Sequence, residues 1–186
     1  MEKILKEMYN ISPYSEYDNK TYFDKIIGSP TYGEITQKGT NDLVEFFHEY
    51  FNKDCVFYDL GSGLSKMVIH IGLQYGIKKS TGIEYSKERH KGALFLKEKY
   101  AKNNDNIEVI NKDMLKCDIS DATVIYVDNT VFTDEIMEKL YKIIPSGCLM
   151  LYKKRIKLTS KDIVHLEPEL IERTYKQSKL RWHIQP

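Results

Sequence analysis

The sequence has little cysteine, proline or tryptophan: three, five and one among 186 residues. The cysteines, Cys55, Cys117 and Cys148, lie far apart and form no Cys-x-x-Cys pair. An odd, scattered set argues against a disulfide framework and for reduced thiols in an intracellular compartment. The five histidines are equally dispersed, with no pair at helical spacing, so no metal site is expected. No apolar run approaches the roughly 18 residues of a membrane span, and no membrane partner is expected. The first ten residues carry Glu2, Lys3, Lys6 and Glu7 and lack the apolar centre of a secretory leader. Charge of one sign is missing too: 28 basic against 27 acidic residues leave a net +1, which demands neither nucleic acid nor an acidic substrate. There is no repeat, no low-complexity tract and no Gly/Pro/Ser-rich linker, so one domain with a sizeable core is expected. A phosphate loop of the Gly-Lys-Thr type and an inferable Ser-His-Asp set are likewise absent.

What remains is an alternation of two periods. Residues 1–30 read as one or two short helices and loops, and a helix is expected from about Thr40 to Phe51, with Leu43, Phe46, Phe47 and Tyr50 at helical spacing and Thr40 as its cap. Short β-type runs follow at Val56–Tyr58, Ser80–Ile83, Ile107–Ile110, Thr123–Val127 and Cys148–Tyr152. Helical patterns separate them: Leu64 to Tyr75, Ser86 to about Lys102, and Thr133 to Ile143. Strands alternating with helices of this length imply a doubly wound, Rossmann-like parallel sheet covered on both faces. Glu169–Tyr175 and Trp182–Ile184 are expected to form a terminal hairpin that gives the sheet an antiparallel edge. The division expected is an N-terminal extension over residues 1–40 and a core over 41–186.

The strongest chemical signal is Phe57-Tyr58-Asp59-Leu60-Gly61-Ser62-Gly63, a strand that delivers an acidic residue and then a glycine turn into a helix. Glycines there allow a ligand to approach the backbone at the helix N-terminus. Glu84 closes the next strand, about 20 residues on, where an acidic residue can grip ribose hydroxyls. Asp113, with Met114, closes the strand after that. In a doubly wound sheet these strand ends share one ligand-binding edge. A nicotinamide-dinucleotide site would want a third glycine where Lys66 stands, and it does not account for Asp59. Two further segments are notable, Tyr32-Gly33-Glu34 before the core and Tyr126-Val127-Asp128-Asn129-Thr130-Val131-Phe132 at the end of the fourth strand. Taken alone, the first is a loop tripeptide and Asp128-Asn129 is a helix cap.

Together and in this order, these segments resemble the Dot-type (disruptor of telomeric silencing) histone-lysine methyltransferases, class I enzymes built without a SET domain. The resemblance covers about residues 31–153. It implies S-adenosylmethionine as cofactor, with Glu34, Asp59, Gly61, Ser62, Gly63, Glu84, Asp113 and Met114 around it. Glu34 would close over the methionine moiety, Glu84 would hold the ribose, and Asp113 with Met114 would flank the adenine. It implies a catalytic mouth shaped by Tyr32, Tyr126, Asp128 and Asn129. Three departures stand out: Ser65 replaces the last glycine of the turn, Asp128 an Asn, and Thr130 an aromatic. The implied substrate is a histone, a nucleosome or another basic protein, and the implied location nuclear or chromatin-associated. The basic run Lys153–Lys157 is read as a solvated loop or as a contact to nucleic acid. An enzyme of the same fold acting on nucleic acid or a small molecule, and a cofactor-binding subunit without turnover, are the open alternatives.

Overall fold

The computed structural model describes residues 1–11, 33–154, 169–171 and 178–185. In chain order these form α1 (Glu2–Tyr9), α2 (Gln37–Phe46), β1 (Val56–Leu60), α3 (Lys66–Gln74), β2 (Lys79–Glu84), α4 (Lys87–Ala101), β3 (Ile107–Asn111), a 3-10 turn η1 (Met114–Lys116), β4 (Val124–Val127), a second 3-10 turn η2 (Asn129–Val131), α5 (Asp134–Tyr141), β5 (Leu149–Tyr152), β6 (Glu169–Ile171) and β7 (Ser178–Ile184). The sheet order is β3-β2-β1-β4-β5-β7-β6. The first five strands are mutually parallel, and β7 runs antiparallel to both β5 and β6. The fold is therefore the Rossmann-like α/β sheet that the alternating periods imply. The terminal hairpin is present and forms the antiparallel edge: β7 pairs with β5 through residues 181–184 and with β6 through residues 178–180, which leaves the short β6 outermost.

Side chains of successive strand residues point to opposite faces, and the sheet has a core on each. Phe57, Val124, Tyr126, Leu149 and Leu151 pack under α1 to α4, whereas Tyr58, Leu60, Ile125, Val127, Met150 and Tyr152 pack under α5. Leu5 and Met8 of α1 and Ile35 are buried in the first of these. The stretch expected to be an extension thus contributes to the main core. α3 is buried on nearly every side, His70 included. His70 bonds Tyr9 Oη (3.1 Å) through Nδ1 and Gln74 through Nε2 (3.2 Å), and Tyr9 Oη also meets Thr40 Oγ1 at 2.9 Å. Burial disfavours the imidazolium and lowers the His70 pKa to about 4.

One helix start differs from expectation. α2 begins at Gln37, and Thr36, not Thr40, is its cap: the Thr36 hydroxyl accepts from Gly39 N at 3.0 Å. Both threonines are good caps one turn apart; burial of Thr40 against Tyr9 decides between them. No helix among the described residues is long and apolar enough to cross a membrane.

Candidate functional site

Five parallel strands bring their C-terminal ends to one edge, and the strand order reverses between β1 and β4. Open sheets of this kind form their crevice at that point. A small, partly open crevice lies there. β1 supplies Asp59 and the Gly61-Ser62-Gly63 turn, β4 supplies Tyr126 and Asp128, and α3 supplies Lys66 and Met67. Gly33, Glu34 and Ile35 line it as well. Asp59 and Tyr126 are register partners across the two strands, which sets them side by side, and both are buried.

The turn is fastened to β2. Gly61 N and Ser62 N both donate to Ile83 O, at 2.8 and 3.1 Å, and Gly63 N donates to Glu84 Oε2 at 2.8 Å. The other Glu84 oxygen accepts from Ser86 N at 2.7 Å. A carboxylate has about four lone-pair positions, so each oxygen keeps capacity for a ligand hydroxyl. Gly61 and Gly63 hold positive φ angles, +87° and +56°, which glycine adopts without penalty. Ser65 does so too, at +57°. The left-handed turn is therefore kept where the last glycine is missing, and the Ser65 hydroxyl pairs with that of Ser62 at 2.9 Å. Beneath them Gly82 makes the crossing feasible: a Cβ there would stand 2.6 Å from Ser65 Oγ and 2.7 Å from Ser62 Oγ.

On the other side, Asp128 Oδ1 accepts from both Thr130 N (3.2 Å) and Thr130 Oγ1 (2.5 Å). The cap reading of Asp128 is thus realised, although it caps η2 and not α5, whose cap is Thr133. Its carboxylate still borders the cavity. Asn129 was expected at the mouth, but its side chain is buried and engaged elsewhere. Oδ1 accepts from Lys153 N (3.1 Å) and Lys154 N (2.6 Å), and Nδ2 donates to Lys154 O (2.6 Å). Arg181 donates to Lys153 O from β7. Asn129 is therefore a positioning residue that rivets the chain leaving β5 to the end of β4.

Asp113 and Met114 sit at the same sheet edge, outside the cavity's lining. Asp113 Oδ1 caps η1 by accepting from Leu115 N at 3.0 Å, and Met114 packs on the second core. Tyr32 and residues 155–157 of the basic run lie outside the described residues. Among those described, no cluster of His, Cys, Asp or Glu fits a metal ion.

Lys66 is the residue the motif reading passed over, noted only as not being glycine. It is buried beside the cavity, 2.7 Å from Glu34 Oε2, and it donates to Ile11 O at 2.5 Å. The one signal in the sequence is a lysine placed among Leu64, Met67 and Val68 on the first turn after the glycines.

The sequence matches the family described as "Histone methylation protein DOT1" over residues 12–185. The chain belongs to this family. A protein-lysine N-methyltransferase of Saccharolobus islandicus (strain REY15A) is 29% identical over 97 residues, 52% of this chain; the match spans only 60% of that relative's own length. Among solved structures, an RNA methyltransferase from Salinibacter ruber in complex with S-adenosyl-L-homocysteine superposes with a TM-score of 0.61 at 21% identity, over 81% of this chain and 93% of that one. A point mutant of MtNAS in complex with S-adenosylmethionine gives 0.63 at 12% identity, over 99% and 73%. At such identities these structures share the fold with this member of the DOT1 family.

Proposed function

We propose that this protein is an S-adenosylmethionine-dependent methyltransferase of Dot type that methylates lysine nitrogen on a histone or another basic protein. The observation that carries the reading is the meeting of Asp59 and Asp128, from two strand ends, at one crevice whose glycine turn is fastened to β2 by Glu84. Family membership supports the same chemistry. The residues present fit the cofactor. Asp59 and Glu34 offer carboxylates to its α-ammonium group, and Glu84 has lone pairs left for the ribose hydroxyls.

What the cofactor supplies is an activated methyl group; the protein's part is alignment and exclusion of water. A lysine amine, with an ordinary pKa of about 10.4, must reach the site neutral. Buried Tyr126 and the apolar strand ends disfavour the ammonium form by desolvation. Asp128, held by two donors from Thr130, keeps its carboxylate in one orientation and accepts a hydrogen bond from the incoming amine. That role is alignment, since the amine's approach line is what Thr130 fixes. Lys153 and Lys154, whose backbone Asn129 holds, offer positive charge to nucleic acid that accompanies a nucleosomal substrate.

The test is incubation with methyl-labelled S-adenosylmethionine against nucleosomes, free histones, RNA and DNA in parallel, with products read by mass spectrometry. Label on a lysine nitrogen is expected. Label confined to RNA or DNA would replace this substrate assignment with the nucleic-acid alternative, and binding without transfer to any of them would favour a non-catalytic subunit.

A further inference from the structure

Lys66 is a costly residue to place where it stands. Its side chain is 2% exposed and its partner Glu34's 9%, and burying an ammonium is tolerated only when its donors are met. An ammonium has three N–H groups. Two are met, by Glu34 Oε2 and by Ile11 O. The third has no acceptor among the described residues, and Lys66 lines the cavity. A buried cation at the wall of a ligand cavity, with a donor left over among the described residues, is suited to an anion. Among the described residues Lys66 is the one cation in that lining, against the carboxylates of Glu34, Asp59 and Asp128.

Its two existing bonds are equally informative. Ile11 follows directly on α1, whose Leu5 and Met8 are in the core, and Glu34 belongs to the segment that leads into α2. One ammonium thus ties the end of the N-terminal helix, the segment before α2 and the wall of the cavity. Resting on the cofactor reading above, we infer that Lys66 takes the carboxylate of the cofactor's amino-acid end as its third acceptor and thereby couples cofactor binding to docking of α1. By linkage, whatever fixes Lys66 from the cavity side strengthens its hold on Ile11 and Glu34, and the reverse holds equally.

The discriminating ligand is decarboxylated S-adenosylmethionine, which keeps the sulfonium, the adenosine and the amine and lacks only the carboxylate. Calorimetric titration of the full chain should give S-adenosylmethionine at least about tenfold tighter binding than the decarboxylated ligand, as expected for one charge-assisted hydrogen bond. In Lys66→Met that preference should shrink to within about twofold, while Lys66→Arg, which keeps a cation, should retain part of it. Amide exchange of residues 2–9 in the unaltered protein should slow with saturating S-adenosylmethionine and not with the decarboxylated ligand. That measurement decides the matter even where Lys66→Met does not fold. Equal affinity for the two ligands in the unaltered protein, equal protection of α1 by both, or an undiminished preference in a folded Lys66→Met would overturn the inference. Binding of neither ligand would bring down the cofactor reading itself, and this inference with it. Both ligands binding with no preference would bring down the inference alone.

Discussion

On the β1–β2 side of the crevice, polar groups are held by partners far away in the chain; on the β4 side, the bonds seen to the cavity-facing carboxylate among the described residues include two from its own near neighbour. Gly63 and Glu84 are 21 residues apart and Lys66 and Glu34 are 32 apart, whereas Asp128 and Thr130 are two apart. Long-range bonds exist near β4 as well: among the described residues, Asn129 joins the 153–154 backbone. The difference separates what the fold dictates from what local sequence can adjust. Changing Glu84 disturbs a turn and a helix start at once. Changing Asp128 and Thr130 alters the mouth and leaves the sheet alone, and this is where two of the three departures from the Dot-type pattern fall. Those two departures contact each other, so they read as one coordinated change: an acidic residue together with the hydroxyl that orients it.

Substitutions at four positions test that contrast. The largest effect is expected from Asp128→Ala: turnover falls about a hundredfold, the range for losing a positioned polar group, with cofactor affinity within about threefold. Steady-state kinetics beside calorimetry would show it, and Asp128→Asn should keep substantial activity because alignment survives in the amide. Gly82→Ala comes next. Its new Cβ would stand under 3 Å from the Ser62 and Ser65 hydroxyls, which must rotate and part, and 3.0 Å from Ser62 Cβ, which presses on the glycine turn; cofactor affinity should drop by about tenfold, the low end of an overpacking cost. Glu84→Ala should weaken the cofactor by about tenfold and also destabilise the fold by about 1–3 kcal/mol, because Gly63 N and Ser86 N lose their acceptors; a melting curve separates this from Asp128→Ala, which should melt almost as the parent does. Ser65→Gly is the smallest. It removes a left-handed penalty of about 1 kcal/mol along with the Ser62–Ser65 bond, so stability should move by under about 1 kcal/mol and affinity by less than twofold. If Asp128→Ala unfolded the protein while Glu84→Ala left the melting curve unmoved, the contrast would be reversed.

The same contrast explains what the sequence could reveal. Strand ends at Asp59, Glu84 and Asp128 were readable because apolar runs stop there and an acidic residue follows each stop. The placement of Asp59 beside Tyr126 needed only the topology. Bonds between distant segments left no such trace. Nothing in the order of residues says that Lys66 meets Glu34, that Gly82 is glycine for the sake of two serines crossing above it, or that Asn129 turns its amide toward Lys153 and Lys154. Asp113 and Met114 illustrate a further case: the right edge of the sheet was legible, but the local cap of Asp113 on Leu115 N was not.

The docking of α1 has a practical corollary for anyone shortening this protein. Leu5, Met8 and Ile35 are buried in the main core, and each such side chain contributes about 1.5–3 kcal/mol. Their combined share is comparable with the roughly 5–15 kcal/mol that keeps an ordinary domain folded. Removing residues 1–40 would also take Tyr9 from His70 and the Ile11 and Glu34 acceptors from Lys66. A shortened chain beginning at Asn41 would then be a poorly folded polypeptide and not a smaller enzyme. Exposed Met1 is the place to attach a tag; the apolar face of the helix behind it is not dispensable.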